Sequence, residues 1–444
     1  MYKSKKILIL GMARSGFEVA KLLSKYDNEI TITDMKEQDP LNVKILKELG
    51  VNYVITDEPE KLLDNSFDVL VKNPGIRRDH KCVLKARALD MDVVNEVEVA
   101  YSFLNKNAKI IAITGSNGKT TTTTMIFNIL KQAGLDVLLG GNIGYPVSSL
   151  VPKVKDNSIL VLEISDHQLV DMHDFKSNIS ILTNLYQVHL DFHESYAVYK
   201  NMKKKIFNKH TADDLAILNK NNIDVLNLTE DINSNKLYFS STEEADCMIK
   251  NDAIYYKGEE IIKLKDIKLK GVHNYENIMC AIMAVKEFNV SNEIIFNYLN
   301  KFGGVEHRIE YVDTIDGVEY YNDSKATNVD STIIAVDSFK NPTILLLGGL
   351  DRGHSFEPLK GHLDNVKLII SYGETKNRIK EFADSENIKC IVVDTLVEAT
   401  HEAIKNAKEN YTVLLSPACA SWDQYKCFED RGEEFKKEVF RIKK

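Results

Sequence analysis

Thr114-Gly115-Ser116-Asn117-Gly118-Lys119-Thr120-Thr121 follows an apolar run at 109–113 and opens a segment, 121–133, in which Met125, Ile126, Ile129, Leu130 and Ala133 share one helical face. Strand, glycine loop, Lys-Thr and helix, in this order, are the parts of a phosphate-binding loop. Glycines let backbone N–H groups approach phosphate oxygens, and the helix N-terminus adds partial positive charge. Lys119 adds a full charge, and Thr120 offers a hydroxyl to Mg²⁺. The general pattern has a glycine five positions before Gly118, where this chain has Ile113, so the loop is a shortened variant. Gly115, Ser116, Asn117, Gly118, Lys119, Thr120 and Thr121 are the expected ATP-binding residues.

Downstream, two strand-like runs end in polar residues, at the edge where α/β sheets place their ligands. The first runs Leu160-Val161-Leu162-Glu163 and the second leads through Thr183-Asn184 to His189. A hard cation beside a triphosphate takes oxygen ligands and tolerates an imidazole, which makes Glu163 and His189 candidate metal ligands. Lys200–Lys209 reads as the solvated face of a helix.

Around this centre the pattern is strand alternating with helix, which implies mostly parallel sheets. Strand-like runs lie at 7–10, 29–34, 52–56 and 68–72, then at 109–114, 136–139, 159–164, 179–183 and 215–218. The polar stretch 219–270 reads as a peripheral elaboration with short strands, and 274–288 as a helix. After Gly303-Gly304, a plausible hinge, further strands are expected at 343–347, 367–372, 390–394 and 412–416. The expected fold is α/β in three domains: 1–105, 106–302 and 303–444.

Of 444 residues, 44% are apolar and 27% charged, an ordinary globular composition. The net charge of −8 points to neither nucleic acid nor an anionic membrane as partner. Six scattered cysteines without a C-x-x-C pair read as reduced thiols. The apolar run near the start is too short for a secretory leader, and no run is long enough to span a bilayer. A cytoplasmic protein without membrane insertion, and a monomer, is expected.

Several segments together resemble the Mur ligases, the ATP-dependent amide-forming enzymes that build the peptide stem of peptidoglycan. They are the glycine loop, Glu163-Ile164-Ser165-Asp166-His167-Gln168-Leu169, the stretch from Thr183 to His193, and Gly271-Val272-His273-Asn274-Tyr275-Glu276-Asn277. Glu306-His307-Arg308, Tyr321-Asn322-Asp323-Ser324-Lys325-Ala326-Thr327-Asn328 and Ser416-Pro417-Ala418-Cys419-Ala420-Ser421-Trp422-Asp423 extend the resemblance over essentially the whole chain. The last two segments are most similar to the member that adds D-glutamate to UDP-N-acetylmuramoyl-L-alanine.

The resemblance implies a Rossmann-like first domain for the uridine-diphosphate end, a P-loop-type central ATPase domain and a Rossmann-like third domain for the amino acid. It implies ATP and two Mg²⁺ ions. Thr120, Glu163, His189 and a carbamylated Lys203 would be the metal ligands, with Lys119, His189 and Lys203 catalytic. Asn274, Asn277, Arg308 and Asp323 match nucleotide contacts. Arg14, Ser15, Asp34, Asn73, Gly75, Asn142, Ser165 and Gln168 match the nucleotide-sugar path. Lys325, Thr327, Arg352, Ser421 and Phe428 match positions that hold D-glutamate. Lys204 and Lys205, with a nearby metal, are expected to depress the Lys203 pKa and favour carbamylation.

Three positions depart from the family pattern. Ser165-Asp166-His167 replaces the usual Ser-Ser-Phe, Gln187-Val188 replaces an acidic pair found in some members, and Arg352 stands where some carry lysine. Asp166 has no explanation at this level. A rival reading takes Gly11-Met12-Ala13-Arg14-Ser15-Gly16, with Asp34 further on, as a dinucleotide fingerprint, but Ala13 replaces the middle glycine.

Overall fold

The computed structural model describes residues 2–187 and 193–442. The chain forms two compact units, Met1–Lys301 and Phe302–Lys444. The first unit holds two sheets and the second unit one.

The first sheet contains β1 (Lys6–Leu10), β2 (Glu29–Asp34), β3 (Asn52–Ile55), β4 (Val69–Lys72) and β5 (Asp92–Val94), in the order β3-β2-β1-β4-β5. All its pairings are parallel. β1 and β4 are apolar apart from Lys6 and Lys72, because helices cover both faces. The chain leaves β1 in opposite directions, to β2 and to β4, so a crevice opens at the carboxyl end of β1. There the helix Arg14–Leu23 begins hard against the strand: a Cβ on Gly16 would lie 2.0 Å from the Gly11 carbonyl oxygen.

The second sheet contains β6 (Lys109–Thr114), β7 (Val137–Gly141), β8 (Ile159–Glu163), β9 (Ile179–Leu182), β10 (Leu215–Asn219), β11 (Asn235–Ser240), β12 (Cys247–Lys250), β13 (Ala253–Tyr256) and β14 (Glu259–Lys263). Its order is β14-β13-β12-β11-β10-β9-β6-β8-β7. The stretch expected to be peripheral therefore continues the central sheet: β11 and β12 extend the parallel part, and β13 and β14 add antiparallel strands. These strands are buried over only part of their length and carry polar residues at their exposed positions, which is why the stretch lacks long apolar runs.

Buried polar contacts join these two sheets. Lys72 pairs with Asp171 at 2.8 Å, both fully enclosed. The Glu98 carboxylate accepts from the backbone N–H groups of Asp174 and Phe175 at 2.7 and 3.1 Å. Glu96 accepts from the Ser148 N–H, and burial pushes its carboxyl up to about 7. Because the folded chain then keeps a proton that the unfolded chain has lost, stability falls as pH rises from about 4.5 to about 7. Glu96→Gln keeps the acceptor and removes the charge. It is expected to shift the urea midpoint upward at pH 8 and leave it unchanged at pH 4, with a difference of up to about 3 kcal/mol. Equal midpoint shifts at both pH values would contradict this.

The second unit contains β15 (Glu310–Ile315), β16 (Val318–Asn322), β17 (Thr343–Gly348), β18 (Val366–Tyr372), β19 (Cys390–Val392) and β20 (Thr412–Leu415), in the order β15-β16-β20-β17-β18-β19. β15 and β16 form a hairpin that the sequence pattern did not suggest. Its two-residue turn, Asp316-Gly317, has positive φ at both positions, as the tight hairpin turn requires. Arg431, on the helix Phe428–Arg441, is wholly buried. Its guanidinium donates to Ser324 Oγ (3.0 Å), to the Ser324 carbonyl (2.8 Å) and to the Cys419 carbonyl (3.0 Å), tying the loop after β16 to the loop after β20.

Candidate active site

The glycine loop joins β6 to the helix Lys119–Gln132 at the point where β6 lies between β8 and β9. Gly118 caps that helix with φ +82°, a conformation that disfavours a side chain. A Cβ there would lie 2.1 Å from Asn277 Oδ1, so the helix Val272–Lys286 brings Asn277 directly onto the loop. The Lys119 ammonium curls back to the carbonyls of Gly115 and Ser116, 2.8 Å from each.

Residues just past β9 clamp the loop. The Ser116 and Asn117 N–H groups donate to the Asn184 carbonyl and to Asn184 Oδ1, both at 2.9 Å, and Thr183 Oγ1 donates to the Asn117 carbonyl at 2.6 Å. Ser116 Oγ is turned inward to Tyr199 Oη at 2.7 Å and the Tyr186 N–H at 2.8 Å. The signal for Thr183, Asn184 and Tyr199 was their place just beyond a strand end and on a neighbouring helix, but nothing in their types marked them as loop holders.

Glu163 ends β8, paired in register with Ile113 of β6. It is 1% exposed. Oε1 accepts from Asn142 Nδ2 at 2.7 Å, while Oε2 is buried with no hydrogen-bond partner among the described residues. A buried carboxylate oxygen left without a donor beside a phosphate loop fits a Mg²⁺ ligand. Thr120, at the start of the loop's helix, is buried as well. His189, the other expected ligand, lies outside the described residues.

Lys203 does not lie on a solvated face. It is 0% exposed, and Nζ donates to Asp166 Oδ1 at 3.1 Å and Thr114 Oγ1 at 3.2 Å. Asp166 Oδ2 lies 2.7 Å from His193 Nε2 and 3.4 Å from His167 Nδ1. Asp166 thus neutralises a buried lysine. Burial works to raise its carboxyl, but Lys203, His193 and His167 together hold it below the usual carboxylate range. For Lys203, burial and then the charge of Lys119 bring the amine down to about 7 against the pull of Asp166. The depression was ascribed above to Lys204 and Lys205. Instead Lys204 pairs with Asp231 at 2.6 Å, and Lys205 donates to the Val170 carbonyl at 2.6 Å.

At the crevice of the first sheet, Asp34 Oδ2 accepts from the Met12 N–H at 2.9 Å and Asn73 Oδ1 from the Gly75 N–H at 3.1 Å. Arg14, at the start of its helix with Ser15, lies over the Tyr145 ring at 5.6 Å. Ser165 and Gln168 form a reciprocal capping box on the helix Asp166–Leu169, so their side chains are engaged locally. Asn274 Nδ2 donates to the Lys270 carbonyl at 2.8 Å, on the exposed side of its helix.

In the second unit, Asp323 accepts from Ser416 Oγ at 2.7 Å and the Ile309 N–H at 3.2 Å, and burial raises its carboxyl to about 7. Arg308 is exposed. Lys325 lies over the Phe428 ring at 5.8 Å and Arg352 over the Trp422 ring at 4.6 Å. Thr327 follows in the loop after β16, and Ser421 is buried in the loop after β20.

Residues 113–285 match the Mur ligase middle domain, and residues 307–419 the Mur ligase glutamate ligase domain. A Bacillus cereus protein named UDP-N-acetylmuramoylalanine–D-glutamate ligase is 39% identical over 99% of this chain and 98% of its own length. A Lactococcus lactis protein of the same name is 41% identical over 100% and 99%. The chain belongs to the Mur ligase family. Among solved structures, the UDP-N-acetylmuramate–alanine ligase of Thermotoga maritima superposes with TM-score 0.59 over 99% of this chain and 100% of its own, at 19% identity, which establishes the shared fold.

Mur ligases are ATP-dependent and require Mg²⁺. The orphaned Glu163 oxygen fits such an ion. In this Mur ligase the aspartate of the unusual Ser165-Asp166-His167 segment acquires a physical role, as counter-charge to Lys203. No helix among the described residues is long and apolar enough to cross a membrane.

Proposed function

We propose that this chain is the ATP-dependent ligase that joins D-glutamate to UDP-N-acetylmuramoyl-L-alanine through an acyl phosphate, in the synthesis of a peptidoglycan precursor. The observation that carries the reading is the full-length identity of about 40% to proteins named for that reaction, with the phosphate loop and its buried carboxylate intact. In this reading the chain has three functional parts: 1–105 for the nucleotide-sugar, 106–302 for ATP and 303–444 for the amino acid. The chain acts as a cytoplasmic monomer.

The substrate carboxylate attacks the γ-phosphorus of ATP, and ADP departs with the bonding electrons. The D-glutamate amine, once it has lost a proton, then attacks the acyl carbon, and phosphate leaves. Two anions must meet in the first step, so the site has to supply positive charge. Lys119 and the loop N–H groups do this at the transferring phosphate. Glu163 and Thr120 would hold one Mg²⁺, and His189 with Lys203 a second. Bound Mg²⁺ supplies neutralisation of the phosphate oxygens. Trapping tests the order of steps: with ATP and the nucleotide-sugar but no amino acid, borohydride is expected to reduce the acyl phosphate to the corresponding alcohol. Turnover with no trapped alcohol would contradict an acyl phosphate.

Carbamylation of Lys203 belongs to the same reading. Its support is positional: an enclosed amine near the phosphate loop, held by Asp166 and Thr114. The neutral amine attacks CO₂ and releases a proton, giving an anion that can hold a cation where the ammonium repels one. The Asp166 contact must then loosen, because two anions replace an ion pair. Native mass spectrometry is expected to show the increment of one CO₂, absent in Lys203→Ala, whose turnover falls. An unmodified chain and a fully active variant would together exclude it.

A further inference from the structure

β16, β20 and β17 are neighbours in the third sheet, so the loops leaving their carboxyl ends meet at one edge. Lys325 lies in the first loop, Trp422 in the second and Arg352 in the third, and Phe428 begins the helix that follows the second. Leu350 donates to the Ala420 carbonyl at 2.9 Å, joining the second and third loops just before Arg352 and Trp422. Asp351 is latched by Arg378 and accepts from the Gly353 N–H at 2.8 Å, which fixes the backbone on either side of Arg352.

Among the described residues the Arg352 guanidinium enters no hydrogen bond or ion pair, and it lies 4.6 Å from the centre of the Trp422 ring. Trp422 is the only tryptophan of the chain and is 64% exposed. So large an apolar ring gains little from packing there, whereas a ring under a guanidinium holds it without using its N–H groups. Those N–H groups stay available for a carboxylate in bidentate fashion. Lys325 also lies over a ring, that of Phe428, at 5.8 Å. The edge therefore presents two cations, each carried by an aromatic ring.

We propose that Trp422 is a positioning residue of the amino-acid site: it holds Arg352 ready for one carboxylate of a dicarboxylic amino acid whose other carboxylate goes to Lys325. This rests on the D-glutamate reading above. Steady-state phosphate release with the full chain tests it. Trp422→Ala is expected to raise KM for D-glutamate about three- to fivefold with kcat and the unfolding temperature unchanged, and Trp422→Phe to recover most of the loss. Arg352→Ala is expected to raise KM more, and Trp422→Ala added to it to change nothing further. An unchanged KM in Trp422→Ala, a loss confined to kcat, or a full additive loss in the double variant would overturn the role of Trp422 while leaving the D-glutamate reading intact. A wild-type chain without D-glutamate-dependent turnover would overturn that reading, and this inference with it.

Discussion

Lys119→Ala is expected to lower ligation by about 10³-fold, the scale on which a preorganised charge facing a transferring group acts. Lys119 is the cation of the loop, and its ammonium is already folded over that loop by the carbonyls of Gly115 and Ser116. A charge held at the loop before the phosphate arrives is what such an effect requires. The side chain is half buried and its ammonium bonds to loop carbonyls, so the variant should keep its circular dichroism spectrum and unfolding temperature. Phosphate release measured beside those two controls is decisive. Near-normal turnover in a folded variant would remove the loop from the chemistry.

Glu163→Gln is the second large effect, with turnover falling by about 10²- to 10³-fold. Oε1 accepts from Asn142, a contact that glutamine keeps, while the unpartnered Oε2 loses its charge. The metal-free variant should keep the stability of the wild type, because the Asn142 contact stays. The wild type should gain unfolding temperature as Mg²⁺ is added, since a ligand that binds only the folded state stabilises it, and the variant should not. A variant that still responds to Mg²⁺ would place the ion elsewhere.

What was legible in the sequence was whatever periodicity and glycine placement control. β6 falls where its apolar run predicts, and β2 where alternating isoleucine and threonine do, because both strands are buried over most of their length. The loop between β6 and its helix was readable because phosphate geometry demands glycine and lysine at fixed offsets. β15 and β16 were not readable: half-exposed antiparallel strands rich in Tyr, Glu and Asp carry little apolar signal. The strands after residue 219 were seen as short pieces, but local pattern cannot say that pieces pair into one existing sheet.

The site was legible in its anchors and not in its supports. Glu163 ends the strand beside β6, in register with Ile113, and Asn277 faces Gly118. Asp166, His193 and Lys203 are far apart in sequence, and their contact depends on the path of the chain from the helix Asp166–Leu169 to the helix Tyr196–Lys204. A lysine amid other lysines on an amphipathic helix looks solvated. Only tertiary packing reveals that Lys203 alone turns inward.

The most direct test of the account is phosphate release from ATP and UDP-N-acetylmuramoyl-L-alanine across a panel of amino acids that includes both glutamate enantiomers, D-aspartate, L-alanine and a diamino acid. D-Glutamate alone is expected to sustain turnover, with stoichiometric ADP and an amide product. Equal turnover with another amino acid, or phosphate release with none of them, would contradict it.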